Sequence, residues 1–242
     1  KQCSSHRGPG RVWQSGRMTP TIALVGDDHG HPSHQELGAL ISRLSRELGV
    51  TARWVPTVSG EDPGGFDGIW LVPGSPYDDD RAAYAAITVA RTRGIPFLGT
   101  CGGMQYAVIE FLRHVVGEHA SHAESDGEAD DNAVARMTCS LYGERRVVTP
   151  VPGSRFATWV LAPFVGMHYC DFAPTAAAVA TLVEHGVVVG ATAPDAPAEV
   201  LEFPAHPFFV ASLFQPHIGA SRGEPIHPLI EAFTRAVRGT AR

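Results

Sequence analysis

Ile95-Pro96-Phe97-Leu98-Gly99-Thr100-Cys101-Gly102-Gly103-Met104-Gln105 runs from an apolar, strand-forming stretch through a corner of small residues into a helix-forming segment. At such a strand-to-helix corner the residue after the strand is held in a tight, strained turn, and the glycines that follow leave room for whatever approaches it. The first helical turn adds free backbone N–H groups and a positive dipole end beside the sulfur, which favours thiolate over thiol. Cys101 is therefore the candidate nucleophile. A buried cysteine acting as a small hydrophobe is the competing reading for any isolated cysteine. The Cys-Gly-Gly corner at a strand end weighs against it here.

Working outward, Thr21-Ile22-Ala23-Leu24-Val25 is a short apolar run ending at Gly26, as expected of a strand buried on both faces. From His34 to Leu48 apolar residues recur at helical spacing (Leu37, Leu40, Ile41, Leu44, Leu48) and stop at Gly49. Val50–Val55 and Gly68–Val72 read as the next strands, the second closed by Pro73-Gly74-Ser75-Pro76, and Arg81–Arg93 reads as an Ala-rich helix. Ile95–Gly99 is then a strand and Gly102–Val116 the helix after the corner. Further strands are expected at Arg136–Leu141, Arg146–Thr149, Val187–Ala191, Glu199–Phe203 and Phe208–Phe214, with helices at Thr175–Glu184 and Pro228–Arg238. Gly117–Asn132 reads as a polar surface loop near the site. Strands alternating with helices define the α/β class, a doubly wound, mostly parallel sheet flanked by helices, in which ligands bind at the carboxyl ends of the strands. Gly74 and Cys101 fall at two such ends.

The chain has 242 residues, a size that suits one α/β domain, expected over residues 19–242 after a leader or disordered extension at 1–18. A net charge of −6 without a Lys/Arg block gives no reason to expect nucleic acid or an anionic membrane as partner, so a small molecule or a protein is expected. Cys3, Cys101, Cys139 and Cys170 form neither a CxxC pair nor a disulfide framework, which suits a reducing cytoplasm. No apolar run approaches the ~20 residues of a membrane span.

Leu71-Val72-Pro73-Gly74, the 95–101 run with Gly103-Met104-Gln105, Ala107-Val108-Ile109-Glu110, His206-Pro207-Phe208-Phe209-Val210-Ala211 and His227-Pro228-Leu229 occur in an order that resembles the class I glutamine amidotransferases. The likeness runs from about Thr21 to about Arg238. It is greatest to the glutaminase region of CTP synthase and to free-standing proteins related to that region. The resemblance implies a flavodoxin-like fold and a cysteine that attacks an amide, with the amides of Gly74 and Gly102 as oxyanion donors. It also implies that Gln105 and Glu124 hold substrate, and it implies no cofactor or metal.

Two departures alter that expectation. The family's His-Pro-Glu falls on Gln215-Pro216-His217, so the acid/base position holds Gln215, which takes up no proton at neutral pH. The arginine that grips the glutamine α-carboxylate falls on His168, and imidazole does not reproduce a bidentate arginine. No counterpart of the ammonia-consuming synthetase is expected in this chain, so ordinary glutamine hydrolysis feeding one is not expected. One reading is then a Cys101 enzyme acting on a small amide, acyl or C–N substrate, with Gln215 and His217 as altered partners; His217 serves either as replacement base or merely as a histidine at the surface or behind the site. The other readings are a degenerate glutaminase that only binds a ligand or partner, and a cysteine-dependent lyase or isomerase. A homodimer or a partner enzyme stays open.

Asp27, Asp28, His29, His31 and His34 are metal-ligand types after the first strand, but their spacing fits no metal motif and also suits a βα loop with a helix cap. Glu110 on the elbow helix is expected to be solvated or interface-facing rather than a buried partner.

Overall fold

The computed structural model describes residues 19–194 and 196–240; the expected leader at 1–18 lies outside the described residues. β1 (Thr21–Val25) is parallel to β2 (Thr51–Val55) on one side and β3 (Gly68–Leu71) on the other. β4 (Phe97–Thr100) follows β3, and β11 (Phe209–Ser212) lies parallel beyond β4. From β11 outward the pairing turns antiparallel through β10 (Ala196–Glu202), β9 (Val188–Ala193), β6 (Glu144–Pro150) and β7 (Phe164–His168). The nine strands run in the order β2-β1-β3-β4-β11-β10-β9-β6-β7. The sheet is thus mixed, its antiparallel part larger than the sequence suggested, and the α/β class stands.

Side chains of successive strand residues point to opposite faces, and the core divides accordingly. Ala23, Val25, Ile69, Leu71 and Phe97 join one apolar layer; Ile22, Leu24, Trp70, Val72 and Leu98 join the other. Helices α2 (Asp80–Arg93), α3 (Gly102–Phe111) and α6 (Ala176–Glu184) cover the first layer through residues such as Ala86, Met104 and Leu182. Helices α1 (Pro32–Arg43) and α7 (Pro228–Thr240) cover the second through Leu37, Leu40, Leu229 and Phe233. The sheet is therefore wound on both faces, which is why its strands read as continuous apolar runs.

Three local expectations need correction. The strand expected at Arg136–Leu141 is the shorter β5 (Val134–Arg136), which leaves the main sheet to pair with β8 (Phe172–Pro174). The polar stretch at 117–132 contains a helical turn, α4 (Ala123–Asp126). Glu110 is fully buried: its carboxylate takes a bidentate ion pair from Arg91 of α2 and a hydrogen bond from Thr88. The pair joins α2 to α3 and leaves Glu110 no role in the pocket.

Candidate active site

Cys101 stands between β4 and α3 at φ 54°, ψ −112°, a backbone conformation that non-glycine residues rarely adopt and that persists only when its surroundings impose it. Its N–H donates to Ser212 of β11 (2.8 Å), and its carbonyl accepts the first helical bonds from Met104 and Gln105 (2.9 and 3.2 Å). The glycines that follow are needed for close approach. A Cβ on Gly102 would overlap the Gly74 carbonyl oxygen, and one on Gly103 would overlap the Leu71 carbonyl. The corner therefore rests directly on the loop after β3, and the backbones of Gly74 and Gly102 lie side by side.

The pocket above the corner has a volume of about 300 Å³. It is lined by residues at the carboxyl ends of β1, β3, β4 and β11, namely Asp27, Gly74, Cys101 and Gln215, and by Tyr169, Cys170 and Asp171 from the link between β7 and β8. Glu124 of α4 closes one side, hydrogen-bonded by Ser75 Oγ (2.7 Å), and burial raises its carboxyl above the ordinary range. No lysine or arginine lines this pocket among the described residues.

The Cys101 thiol lies below its ordinary range. The largest cause is a hydrogen bond with the Cys170 side chain; bonds from the Gln215 side chain and the Gly102 amide act in the same direction, against burial. Cys170 is pushed well above its ordinary range by the same contact and by burial. Cys101 is thus the sulfur that ionises, and Cys170 the one that keeps its proton.

Gln215 is oriented from behind. Ser33 Oγ, in the first turn of α1, donates to Gln215 Oε1 (2.6 Å), which turns the amide NH₂ toward Cys101. Since the Ser33 hydrogen is committed there, His217 Nε2, 3.0 Å from Ser33 Oγ, is the donor to that oxygen. His217 does not line the pocket, and its pKa is lowered to about 3, chiefly by burial and then by repulsion from His34. It remains neutral at physiological pH and reaches Cys101 only through Ser33 and Gln215.

Gln105 faces the pocket, yet both ends of its amide are engaged: Nε2 donates to the Phe172 carbonyl (2.7 Å), and Oε1 lies 3.0 Å from His122 Nε2. His122 Nδ1 accepts from the Glu124 N–H (3.1 Å), so Gln105 and Glu124 belong to one supporting network. His168 is fully buried and is not part of the pocket wall. Its Nε2 lies 2.9 Å from Glu199 Oε2, itself fully buried in β10, and the imidazole Nδ1 and Glu199 Oε1 have no hydrogen-bond partner.

The candidate ligand-type residues after β1 are used in several ways. Asp27 accepts from the Thr57 N–H, the Thr57 hydroxyl and the Asp78 N–H, tying together the loops after β1, β2 and β3. His31 caps α1 through the Ser33 N–H and meets Tyr142 (2.8 Å), while its ring packs edge-on to Tyr169 at the pocket mouth. His34 Nε2 donates to the Pro73 carbonyl (2.8 Å), bracing the Gly74 loop. Sequence reading singled out neither Ser33, Tyr169, Cys170 nor Glu199. Ser33 is 182 residues from Gln215 in the chain, and no local pattern signals such a contact.

These features, a strained cysteine corner and adjacent glycine amides at the carboxyl ends of an α/β sheet, define a cysteine-centred site of the amidotransferase type. The chain belongs to the class I glutamine amidotransferase family, whose model matches residues 34–156. Among curated relatives it is 32% identical over 190 residues to the CTP synthase of Pyrobaculum calidifontis, covering 74% of this chain and 36% of that protein. It is also 32% identical over 247 residues to the CTP synthase of Pelotomaculum thermopropionicum, covering 92% and 45%. The chain thus spans less than half the length of these relatives. A glutaminase domain of CTPS from Trypanosoma brucei, solved with bound acivicin, superposes with a TM-score of 0.76 at 24% identity, covering 93% of this chain and 96% of that one. A glutamine amidotransferase from Thermotoga maritima gives 0.56 at 12% identity, covering 92% and 94%. These structural likenesses establish the fold. Among the described residues, no helix is long and apolar enough to cross a membrane.

Proposed function

We propose that this protein is a Cys101-dependent hydrolase or transferase that forms a covalent thioester with a small acyl or amide substrate other than free glutamine. The observation that carries this is the pairing of a thiolate-stabilising corner with a pocket lined by Glu124 and Asp171 and, among the described residues, by no lysine or arginine. A carboxylate on the substrate would find no bidentate guanidinium there, whereas an amine would find acidic partners.

Cys101 attacks the carbonyl carbon as the thiolate. Negative charge then develops on the carbonyl oxygen, where the N–H groups of Gly74 and Gly102 supply the oxyanion donors; each such donor contributes about 3 kcal/mol. Gln215 holds the sulfur by donation but delivers no proton to the leaving group. Substrates whose leaving group departs without prior protonation, such as thioesters or activated esters, are therefore favoured over a primary amide. Gln105 supports the Glu124 loop, and His168 and His217 act from outside the pocket. A small molecule is the partner in this reading, in a cytoplasmic setting. The exposed apolar side chains Val147, Leu161 and Val165 suit a second copy or a partner enzyme.

The test is intact-protein mass after exposure to a panel of glutamine, amine-bearing amides and thioesters, with Cys101→Ala as control. A Cys101-dependent acyl adduct from a non-glutamine substrate is expected. Release of glutamate and ammonia from glutamine as the preferred reaction would overturn the substrate claim. Failure of the whole panel would favour ligand binding without turnover, the reading supported by the replacement of the acid/base histidine by Gln215.

A further inference from the structure

In the acyl chemistry the second thiol in the pocket only helps to keep Cys101 ionised and forms no bond. We propose that Cys101 and Cys170 form a two-thiol redox centre that reduces hydroperoxides and closes to a Cys101–Cys170 disulfide. Both residues line the same cavity, are 6% and 5% exposed and carry free thiols. The Cys170 side chain is the largest single influence on the Cys101 thiol. Cys101 Sγ also lies 3.9 Å from the Tyr169 carbonyl, on the residue directly before Cys170. The short link that carries Cys170 is held on its far side by backbone bonds from Leu141 to Cys170 (3.0 Å) and from Met137 to Asp171 (2.8 Å). Cys170 is thereby kept facing Cys101.

The roles divide by ionisation. Cys101, held as thiolate by Cys170, Gln215 and the Gly102 amide, is the attacking sulfur, because thiolate rather than thiol is the nucleophile. Its lone pair attacks the terminal oxygen of ROOH, and the O–O bond breaks. The alkoxide takes a proton to leave as ROH, and Cys101 becomes the sulfenic acid after losing two electrons. Cys170 sulfur then attacks the sulfenic sulfur; its proton leaves with the hydroxyl group as water, and the S–S bond forms. The two sulfurs, which line one cavity, must approach to a bond of about 2.05 Å. A dithiol reductant restores both thiols and leaves as its own disulfide. While closed, Cys101 has no lone thiolate for an acyl carbon, so the disulfide also switches off the acyl reaction.

The experiment uses the full chain with Cys3→Ser and Cys139→Ser, which removes the other thiols. After reduction and desalting it is treated with hydrogen peroxide, and peptides are mapped under non-reducing conditions. The expected result is loss of both remaining thiols, a cross-linked peptide pair containing Cys101 and Cys170, and recovery with dithiothreitol. With dithiothreitol present, several equivalents of peroxide are consumed per chain. Adding Cys170→Ser should replace the disulfide by a dimedone-reactive or over-oxidised Cys101, and adding Cys101→Ser should bring peroxide consumption down to that of dithiothreitol alone. Oxidation of Cys101 without the cross-link in the chain that retains both pocket cysteines overturns the proposal. So does peroxide consumption above the dithiothreitol background that survives Cys101→Ser. The mapping does not depend on whether the Cys170 variant folds. An acyl adduct in the reduced chain without the cross-link sinks the redox centre alone, and the cross-link without any acyl adduct sinks the acyl reading alone.

Discussion

The parallel half of the sheet and the antiparallel half contribute to the site in different ways. The parallel strands β1, β3, β4 and β11 end in Asp27, Gly74, Cys101 and Gln215, and close backbone contacts fix their placement. The antiparallel half supplies the opposite wall: the Tyr169-Cys170-Asp171 link and, behind it, the buried His168–Glu199 pair. The geometry of the Cys101 corner is thus a property of the winding, whereas what Cys101 faces across the pocket is set by a short link between β7 and β8. A chain can keep the first while changing the second, and a matching corner therefore carries less information about substrate than the wall opposite.

The difference can be broken from either side. On the parallel side, Gly102→Ala drives a methyl into the Gly74 carbonyl, where only backbone can yield. A loss of more than about 4 kcal/mol in urea unfolding is expected, among the largest single-residue effects. On the antiparallel side, Glu199→Ala removes the partner of a fully buried imidazole, and about 3 kcal/mol should be lost. Glu199→Gln, which keeps an acceptor, should lose clearly less. Equal losses for the two variants would mean that the hydrogen bond with His168 contributes little.

Acid sharpens the comparison next. Burial lowers His217 to about 3 and His122 and His227 to about 4, from 6.5. Below pH 6.5 the unfolded chain binds protons that these folded histidines refuse, so their contribution is flat above that pH and lowers stability as the pH drops from 6.5 toward 4. Each histidine contributes a slope of about 1.4 kcal/mol per pH unit where only the unfolded form is protonated. Urea midpoints measured from mildly acidic to neutral pH should follow that direction, and His217→Gln should flatten the curve. The smallest expected effect is that of Ser33→Ala, which frees the Gln215 amide to rotate. It should reduce stability by about 1 kcal/mol and raise the pH at which Cys101 is alkylated.

Much of the parallel half was legible because its signals are local. Continuous apolar strands, Ala-rich and amphipathic helices, and the Gly99–Gly103 corner all lie within short windows, and the helix ends carry local marks such as Pro32, Asp79, Gly94, Thr175 and Pro228. Phe164–His168 and Phe172–Pro174 were missed as strands because they are short, interrupted by Gly166 or ended by Pro174, and stabilised by partners distant in sequence. The Ser33–Gln215–His217 chain joins α1 to the loop after β11, a contact made by tertiary packing alone. Glu110 misled because an acid on an apolar helix is ordinarily solvated, whereas here Arg91 of the neighbouring helix neutralises it.

The central claim is that hydrogen-bond donors, with no histidine base in contact, hold Cys101 as a thiolate. Iodoacetamide alkylation of Cys101, located by peptide mass and followed against pH in the wild type and in Gln215→Leu, tests it directly. The expected profile is a single ionisation with a midpoint below the ~8.5 of an ordinary thiol, displaced upward in the variant. A midpoint at or above that value, unchanged by loss of Gln215, would contradict it.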